Sequence, residues 1–337
     1  VNALRAVAAL VLVAASTLVG HIPARAAPPS SPNARKQLLA ELAQIAATAG
    51  GTLGVSALHL TSGERVQLNA SDRFPMASTY KVAVAAKVLA EVDRKTIALD
   101  DVLPIDAGNF SPGSGEIKHS RPDSQLSATV RELLSAMMRE SDNTATDILL
   151  QRVGGPPAVT LHLRTLGIDE IDVSRPTADL VAAAWGFKLP PPGERTWKAL
   201  QQAQNRVPAP ARQAAARAFL KDPRDTATPD AMVALLELIQ RGKALGPESN
   251  AFLLEQMEQC KTGPKRLKGE LPRGMVVAHK TGTLTRVVTG DVGIVRMSAG
   301  RGDLVVAIYV KGSPRPIADQ ERAIAYATRA LYRYYQK

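Results

Sequence analysis

A single cysteine in 337 residues excludes a disulfide framework and any cysteine-based zinc or iron–sulfur site. The five histidines (His21, His59, His119, His162 and His279) show no ligand-like pairing at helical or hairpin spacing, so neither a metal nor another cofactor is expected. Aromatic residues make up only 4% of the chain, and its core must be built mostly from Ala, Leu, Val and Ile. Glycine (24) and proline (23) are too scarce for a collagen-like or low-complexity chain, while 45% apolar and 22% charged residues are globular values. The net charge is +11, but it is scattered, with no basic stripe and few aromatics to stack bases. Nucleic acid is therefore not an expected partner. The basic surface suits anionic small molecules or an anionic envelope.

Long apolar runs are lacking as well, with one exception at the start. Arg5 precedes an apolar run over residues 6–20, with Pro23 and then Ala24-Arg25-Ala26 just beyond, which is the order of an export signal. The run is shorter than the roughly 20 residues a spanning helix needs, and no cysteine follows it for lipid attachment. Residues 1–27 are expected to be a signal peptide. The mature chain is expected to be a periplasmic or secreted monomer without a membrane segment.

Leu38, Leu42, Ile45 and Ala49 mark one face of a helix over residues 33–49, which Gly50-Gly51 stops. Two β-like runs, 52–60 and 65–68, are joined by Thr61-Ser62-Gly63-Glu64 as a hairpin. Residues 79–94 turn helical, and the middle of the chain to about Leu220 reads as helices interrupted by Pro190-Pro191-Pro192-Gly193. Further helices at 231–240 and 248–260 lead back to strands at 275–278, 287–297 and 304–310. A closing amphipathic helix carries Ile317, Ile324, Ala327, Leu331 and Tyr334. This order predicts an α/β plus all-α fold: a split α/β domain, its antiparallel sheet flanked by helices, with an inserted helical domain. The α/β part is assigned to residues 28–76 and 226–337, and the helical part to 77–225, including an enlarged loop over 175–225.

Three short motifs carry the chemistry. In Ser78-Thr79-Tyr80-Lys81 the serine and lysine are three apart at a helix start, so they share a face. A serine hydroxyl is a weak nucleophile until a base takes its proton, and a desolvated lysine can be that base. The free N–H groups of the helix end suit a developing oxyanion. Ser141-Asp142-Asn143 follows a predicted helix over 130–140 and offers a second hydroxyl to pass a proton, and an amide to hold a substrate amide. Lys-Thr-Gly occurs twice. Lys261-Thr262-Gly263 ends a helix at Gly263-Pro264 and reads as structural, whereas Lys280-Thr281-Gly282-Thr283 follows a strand and can face a cleft, where Lys280 could bind a carboxylate. In isolation, the first two motifs also read as a capped helix and a polar loop.

All three in this order, with Phe74-Pro75-Met76-Ala77 before the serine and Asp225-Thr226-Ala227-Thr228-Pro229 later, resemble the penicillin-recognising serine hydrolases, specifically the class A serine β-lactamases. The resemblance extends over nearly all of residues 33–334. It implies a β-lactamase/transpeptidase-like fold and an acyl-enzyme on Ser78, with Lys81 as proton acceptor and Ser141 as proton shuttle. It also implies that Asn143 binds the substrate amide and that Lys280, Thr281 and Thr283 bind the carboxylate. The close-approach Gly282 lies between these threonines, and the resemblance further implies that the Ser78 and Thr283 N–H groups form the oxyanion hole.

One element departs from the family pattern. The loop that usually reads Arg-x-Glu-x-x-Leu-Asn, whose glutamate activates the deacylating water, is here Arg175-Pro176-Thr177-Ala178-Asp179-Leu180-Val181. Thr177 replaces the glutamate. Asp179 is the nearest carboxylate in sequence and the expected substitute; Asp169, Glu170 and Asp172 precede the loop. About three dozen extra residues separate Arg175 from Asp225 and suggest a reshaped loop or added subdomain at the mouth of the site. Cys260 reads as a packed core thiol with no histidine beside it. The sequence thus supports a β-lactamase with an unusual deacylation route. A second reading is a peptidoglycan DD-peptidase or penicillin-binding acyl-transfer protein, whose substrate would be a peptidoglycan peptide.

Overall fold

The computed structural model describes residues 31–119, 126–297 and 300–336. The expected signal peptide lies outside them. The Ser31 hydroxyl accepts the Ala34 N–H at 3.2 Å and Pro32 occupies the first turn, which starts α1 (Pro32–Ala49); left-handed Gly50 ends it. β1 (Thr52–His59) and β2 (Arg65–Leu68) form the expected hairpin, with Val55 opposite Leu68. After β3 (Phe74–Pro75) the chain leaves the sheet for a helical region. That region holds α2 (Lys81–Asp93), the paired strands β4 (Val102–Ile105) and β5 (Leu126–Thr129), α3 (Val130–Ser135), α4 (Asn143–Arg152) and α5 (Gly155–Thr165).

Next come α6 (Thr177–Trp185), α7 (Trp197–Asn205) and α8 (Ala209–Lys221). β6 (Thr226–Ala227) then pairs antiparallel with β3, Phe74 facing Ala227, so the departing and returning chains are tied together. α9 (Pro229–Gln240), α10 (Pro247–Glu258), β7 (Val277–Leu284), β8 (Val288–Arg296), β9 (Asp303–Lys311) and α11 (Ile317–Tyr335) complete the chain. The main sheet has the order β2-β1-β9-β8-β7, with every neighbour antiparallel. This is the split α/β sheet with inserted helices that the sequence predicts.

Helices cover the sheet on both sides. α1 packs on α11 over one face, where Leu42, Val55, Ile308 and Leu331 share a core, and α9 packs against β1 and β9 from the other. The strands β1, β8 and β9 are therefore buried nearly end to end and read as continuous apolar runs. Among the described residues no helix is long and apolar enough to cross a membrane.

Two expectations change in detail. The predicted helix over 130–140 is regular only to Ser135; its last turn widens until the Ser141 N–H reaches the Ala136 carbonyl, a geometry that re-aims the residue after it. The segment 175–225, expected as a reshaped loop or an added subdomain, is helical. It forms α6, α7 and α8, with Thr196 capping α7 and Pro210 in the first turn of α8, and α8 packs back on α6. Its ends are closed by Arg175, whose guanidinium bonds Asp225 and Asp222 and lies 4.8 Å from the Phe219 ring.

Candidate active site

Ser78 sits in a tight turn over Ala77–Tyr80, just ahead of α2. Ala77 is left-handed at φ 46°, a conformation that costs a non-glycine residue about 1–3 kcal/mol. β7 runs hard against this turn. A Cβ on Gly282 would lie 2.5 Å from the Met76 carbonyl oxygen, so only glycine allows the approach. Ser141 is aimed by its neighbour: the Asp142 carboxylate caps α4 by accepting the Ala145 N–H at 2.8 Å and also takes the Ile117 N–H at 3.0 Å. Ser141 itself is held left-handed at φ 61°.

The Ser141 hydroxyl lies between two ammonium groups, 3.2 Å from Lys81 Nζ and 3.0 Å from Lys280 Nζ. Both lysines have 0% exposure. Lys81 also donates to the Ser141 carbonyl and to Asn143 Oδ1, each at 2.7 Å, and Lys280 donates to the Thr281 carbonyl at 3.0 Å. Desolvation brings Lys280 down to about 8, despite the opposing pull of Cys260 and Asp291. Asn143 Nδ2 donates one hydrogen to the Pro112 carbonyl at 2.6 Å, which leaves its second N–H for a ligand.

A cavity of about 430 Å³ opens over these groups, lined by Ser78, Ser141, Asn143, Thr281 and Thr283. Lys81 and Lys280 stand behind its wall, and Gly282 supplies the backbone between the two threonines. The residues singled out in the three motifs are thus brought to one place. Lys261 is not: it is exposed and paired with Glu140 at 2.6 Å. Its neighbours Thr262 and Gly263 do reach the cavity, and Thr262 Oγ1 lies 2.6 Å from Thr281 Oγ1, so that segment is more than a helix end.

Several lining residues escape the sequence reading. Arg266 is buried beneath β7, where it donates to Thr283 Oγ1 at 2.7 Å and to the Gly282 and Gly290 carbonyls. Trp185 and Trp197, at the end of α6 and the start of α7, form an apolar side of the cavity. On the same side, the Tyr80 hydroxyl meets Thr177 Oγ1 at 2.6 Å, both residues being buried. The Thr177 and Ala178 N–H groups, at the first turn of α6, donate to the Asp147 carboxylate of α4 at 2.6 and 2.9 Å. Desolvation raises the Asp147 carboxyl above its usual range, and it raises Tyr80 well above a free phenol. A signal for Asp147 was available. It stands four residues after Asn143, on the same helix face.

The four carboxylates expected near the missing glutamate do not line the Ser78 cavity. Asp179 is exposed and borders a separate cavity of about 850 Å³ on the far side of Thr177. Asp169 approaches Arg164, Glu170 pairs with Arg73, and Asp172 accepts from the Ser174 hydroxyl. The helical geometry of α6 turns the Asp179 side chain away, because two residues along a helix point to different faces. Cys260 is buried as expected, with its sulfur 3.3 Å from Thr262 Oγ1. A histidine does stand near it: His279, whose Nδ1 lies 2.9 Å from Asp291.

Residues 36–335 match the model of the beta-lactamase enzyme family. Beta-lactamase L2 of Stenotrophomonas maltophilia is 31% identical over 281 residues, 83% of this chain and 77% of that protein. The extended-spectrum β-lactamase PER-1 of Pseudomonas aeruginosa is 28% identical over 84% of this chain and 82% of its own. The crystal structure of a β-lactamase from Chitinophaga pinensis superposes with a TM-score of 0.73 at 31% identity, over 89% of this chain and 98% of that one. The motif residues, the sheet order and these likenesses agree: the chain belongs to the beta-lactamase enzyme family, as a class A serine β-lactamase.

Proposed function

We propose that this β-lactamase opens the β-lactam amide through an acyl-enzyme on Ser78. The observation that carries the reading is the Ser141 hydroxyl between the buried Lys81 and Lys280 ammonium groups, on the wall of the cavity that Ser78 lines. Lys81 takes the Ser78 proton as Oγ attacks the carbonyl carbon, and Ser141 relays a proton to the leaving nitrogen. The Ser78 and Thr283 N–H groups receive the oxyanion, and the free Asn143 N–H holds the substrate's side-chain amide. Thr281 and Thr283 take the substrate carboxylate in the field of Lys280 and Arg266. The division into residues 28–76 with 226–337 and residues 77–225, the signal over 1–27, a periplasmic or secreted site of action and a monomeric state belong to the same proposal.

With Thr177 where the family carries a glutamate, acylation outpaces deacylation. A chromogenic cephalosporin is expected to give a one-equivalent burst, then slower continued hydrolysis. Peptide mapping should place the adduct on Ser78, and Ser78→Ala should abolish it. An adduct on Ser141 would overturn the role assignment. Hydrolysis that stops at one equivalent would favour the DD-peptidase or penicillin-binding reading.

A further inference from the structure

The wall between the Ser78 cavity and the larger one behind it is crossed by a run of hydrogen-bonded groups from Tyr80 through Thr177 to Asp147. Tyr80 and Thr177 line the Ser78 side, their hydroxyls 2.6 Å apart. Asp147 lies on the other side of Thr177 and borders the second cavity together with Ser111, whose hydroxyl donates to Asp147 at 2.5 Å. α6 is seated on this carboxylate. Pro176 offers it no side-chain cap, and Asp147 reaches across from α4 to take the Thr177 and Ala178 N–H groups instead.

A structural cap would need only this last set of bonds. It would not need the Tyr80–Thr177 pair on the substrate side, nor an opening of the carboxylate's residue toward a second water-sized space. Asp179 is turned away, Asp169 and Glu170 face arginines, and Asp172 is held by the Ser174 hydroxyl.

We propose that the Asp147–Thr177–Tyr80 chain is the proton path for deacylation, with Asp147 accepting, through the hydroxyls, the proton of the water that attacks the Ser78 ester. This rests on the acyl-enzyme reading and deepens it. A water held by the Tyr80–Thr177 hydroxyl pair forms its new bond to the ester carbon and gives its proton to the pair, while the Thr177 proton moves to the Asp147 carboxylate. When the tetrahedral adduct collapses, the bond between the carbonyl carbon and Ser78 Oγ breaks. The proton then returns along the same hydroxyls to Oγ, so that the serine and the carboxylate are both regenerated. Thr177 and Tyr80 face the reacting water; Asp147 is a positioning residue that sets the direction of transfer.

The test starts from the acyl-enzyme formed with a fluorescent penicillin and follows loss of the adduct by intact-mass spectrometry in the wild type, Thr177→Val, Thr177→Ser and Asp147→Asn. Thr177→Val keeps the shape of the side chain and the N–H bonds to Asp147, so it folds where a larger change would not. It is expected to accept one equivalent and then lose the adduct at least tenfold more slowly, within the range of a general base's contribution of about 10²–10⁴. Thr177→Ser should restore most of the rate. In the wild type, adduct loss should slow as pH falls toward a carboxyl raised above its usual range, and this acid limb should vanish in Asp147→Asn. Adduct loss that is unchanged in both Thr177→Val and Asp147→Asn overturns the path, as does an acid limb that survives in Asp147→Asn. Absence of any adduct on wild-type Ser78 overturns the acyl-enzyme reading instead.

Discussion

On one side of the Ser78 cavity two ammonium groups, Lys81 and Lys280, are held without exposure around a single serine hydroxyl. On the other side a carboxylate, Asp147, stands behind two neutral hydroxyls and carries the start of a helix. The first side is assembled from α2, the turn before α4 and β7, elements of the body of the fold. The second hangs on α6, the first helix of the segment that the chain inserts between Arg175 and Asp225. Charge placed directly at the cavity is therefore supplied by the frame of sheet and helix, whereas the first turn of the insertion puts a neutral hydroxyl there, with the carboxylate behind it on α4.

The largest effect should come from releasing that insertion. Arg175 is nine-tenths buried, bonded to Asp225 and Asp222 and stacked on Phe219 of α8. Breaking a buried pair by removing one partner costs about 3–5 kcal/mol, because the remaining charge stays desolvated. Arg175→Ala is thus expected to lower stability by about that amount in urea unfolding. It should also slow adduct loss more than adduct formation, since Thr177 is two residues away. A loss below about 1 kcal/mol would mean that the insertion docks without this pair.

The frame was largely legible in the sequence, the insertion only as extra helical chain without its contacts, for a physical reason. Ser78, Lys81, Ser141, Asn143 and Lys280 sit at element ends, where short motifs and apolar periodicity mark helix starts and strands. The hairpin, the late strands and the closing helix followed from the same periodicity. In residues 175–225 the helical reading to about Leu220 extends to α8, whose Pro210 lies in a first turn, where a missing N–H costs nothing. Asp179 attracted the reading because it is near Thr177 along the chain. Asp147 is near it in space, thirty residues earlier. Arg266 and Tyr80 were hidden similarly: their roles depend on contacts across elements.

A middle-sized effect separates the two Lys-Thr-Gly segments. Lys280→Ala removes a buried charge behind Thr281 and Thr283, the threonines proposed to take the substrate carboxylate, and should lower acylation efficiency roughly ten- to hundredfold, the worth of a charge-assisted bond of about 1.5–3 kcal/mol. Lys261→Ala removes an exposed partner of Glu140 and should leave it within about twofold. Because Lys280 titrates at about 8, below its ordinary value, its cationic form is lost as pH rises through that point. Acylation efficiency should therefore fall above about pH 8, and Lys280→Arg, whose guanidinium stays protonated, should flatten the fall. Equal losses in the two alanine variants would show that the carboxylate binds elsewhere.

The smallest effect tests the far side of the wall. Asp179 lies in the first turn of α6, exposed, bordering the cavity that Asp147 also borders but separated from Ser78 by Thr177. A negative charge there favours the positive end of the helix by about 0.3–1 kcal/mol, a contribution to stability alone. Asp179→Asn should cost about that much in thermal unfolding and leave the rate of adduct loss within about twofold of wild type. The contrast with Asp147→Asn is the informative one, since both substitutions remove one carboxylate from the same cavity and only one of them is bonded to Thr177. If Asp179→Asn slowed adduct loss as much as Asp147→Asn, the shared negative field of that cavity would be acting on the water, and the hydrogen-bonded chain would not.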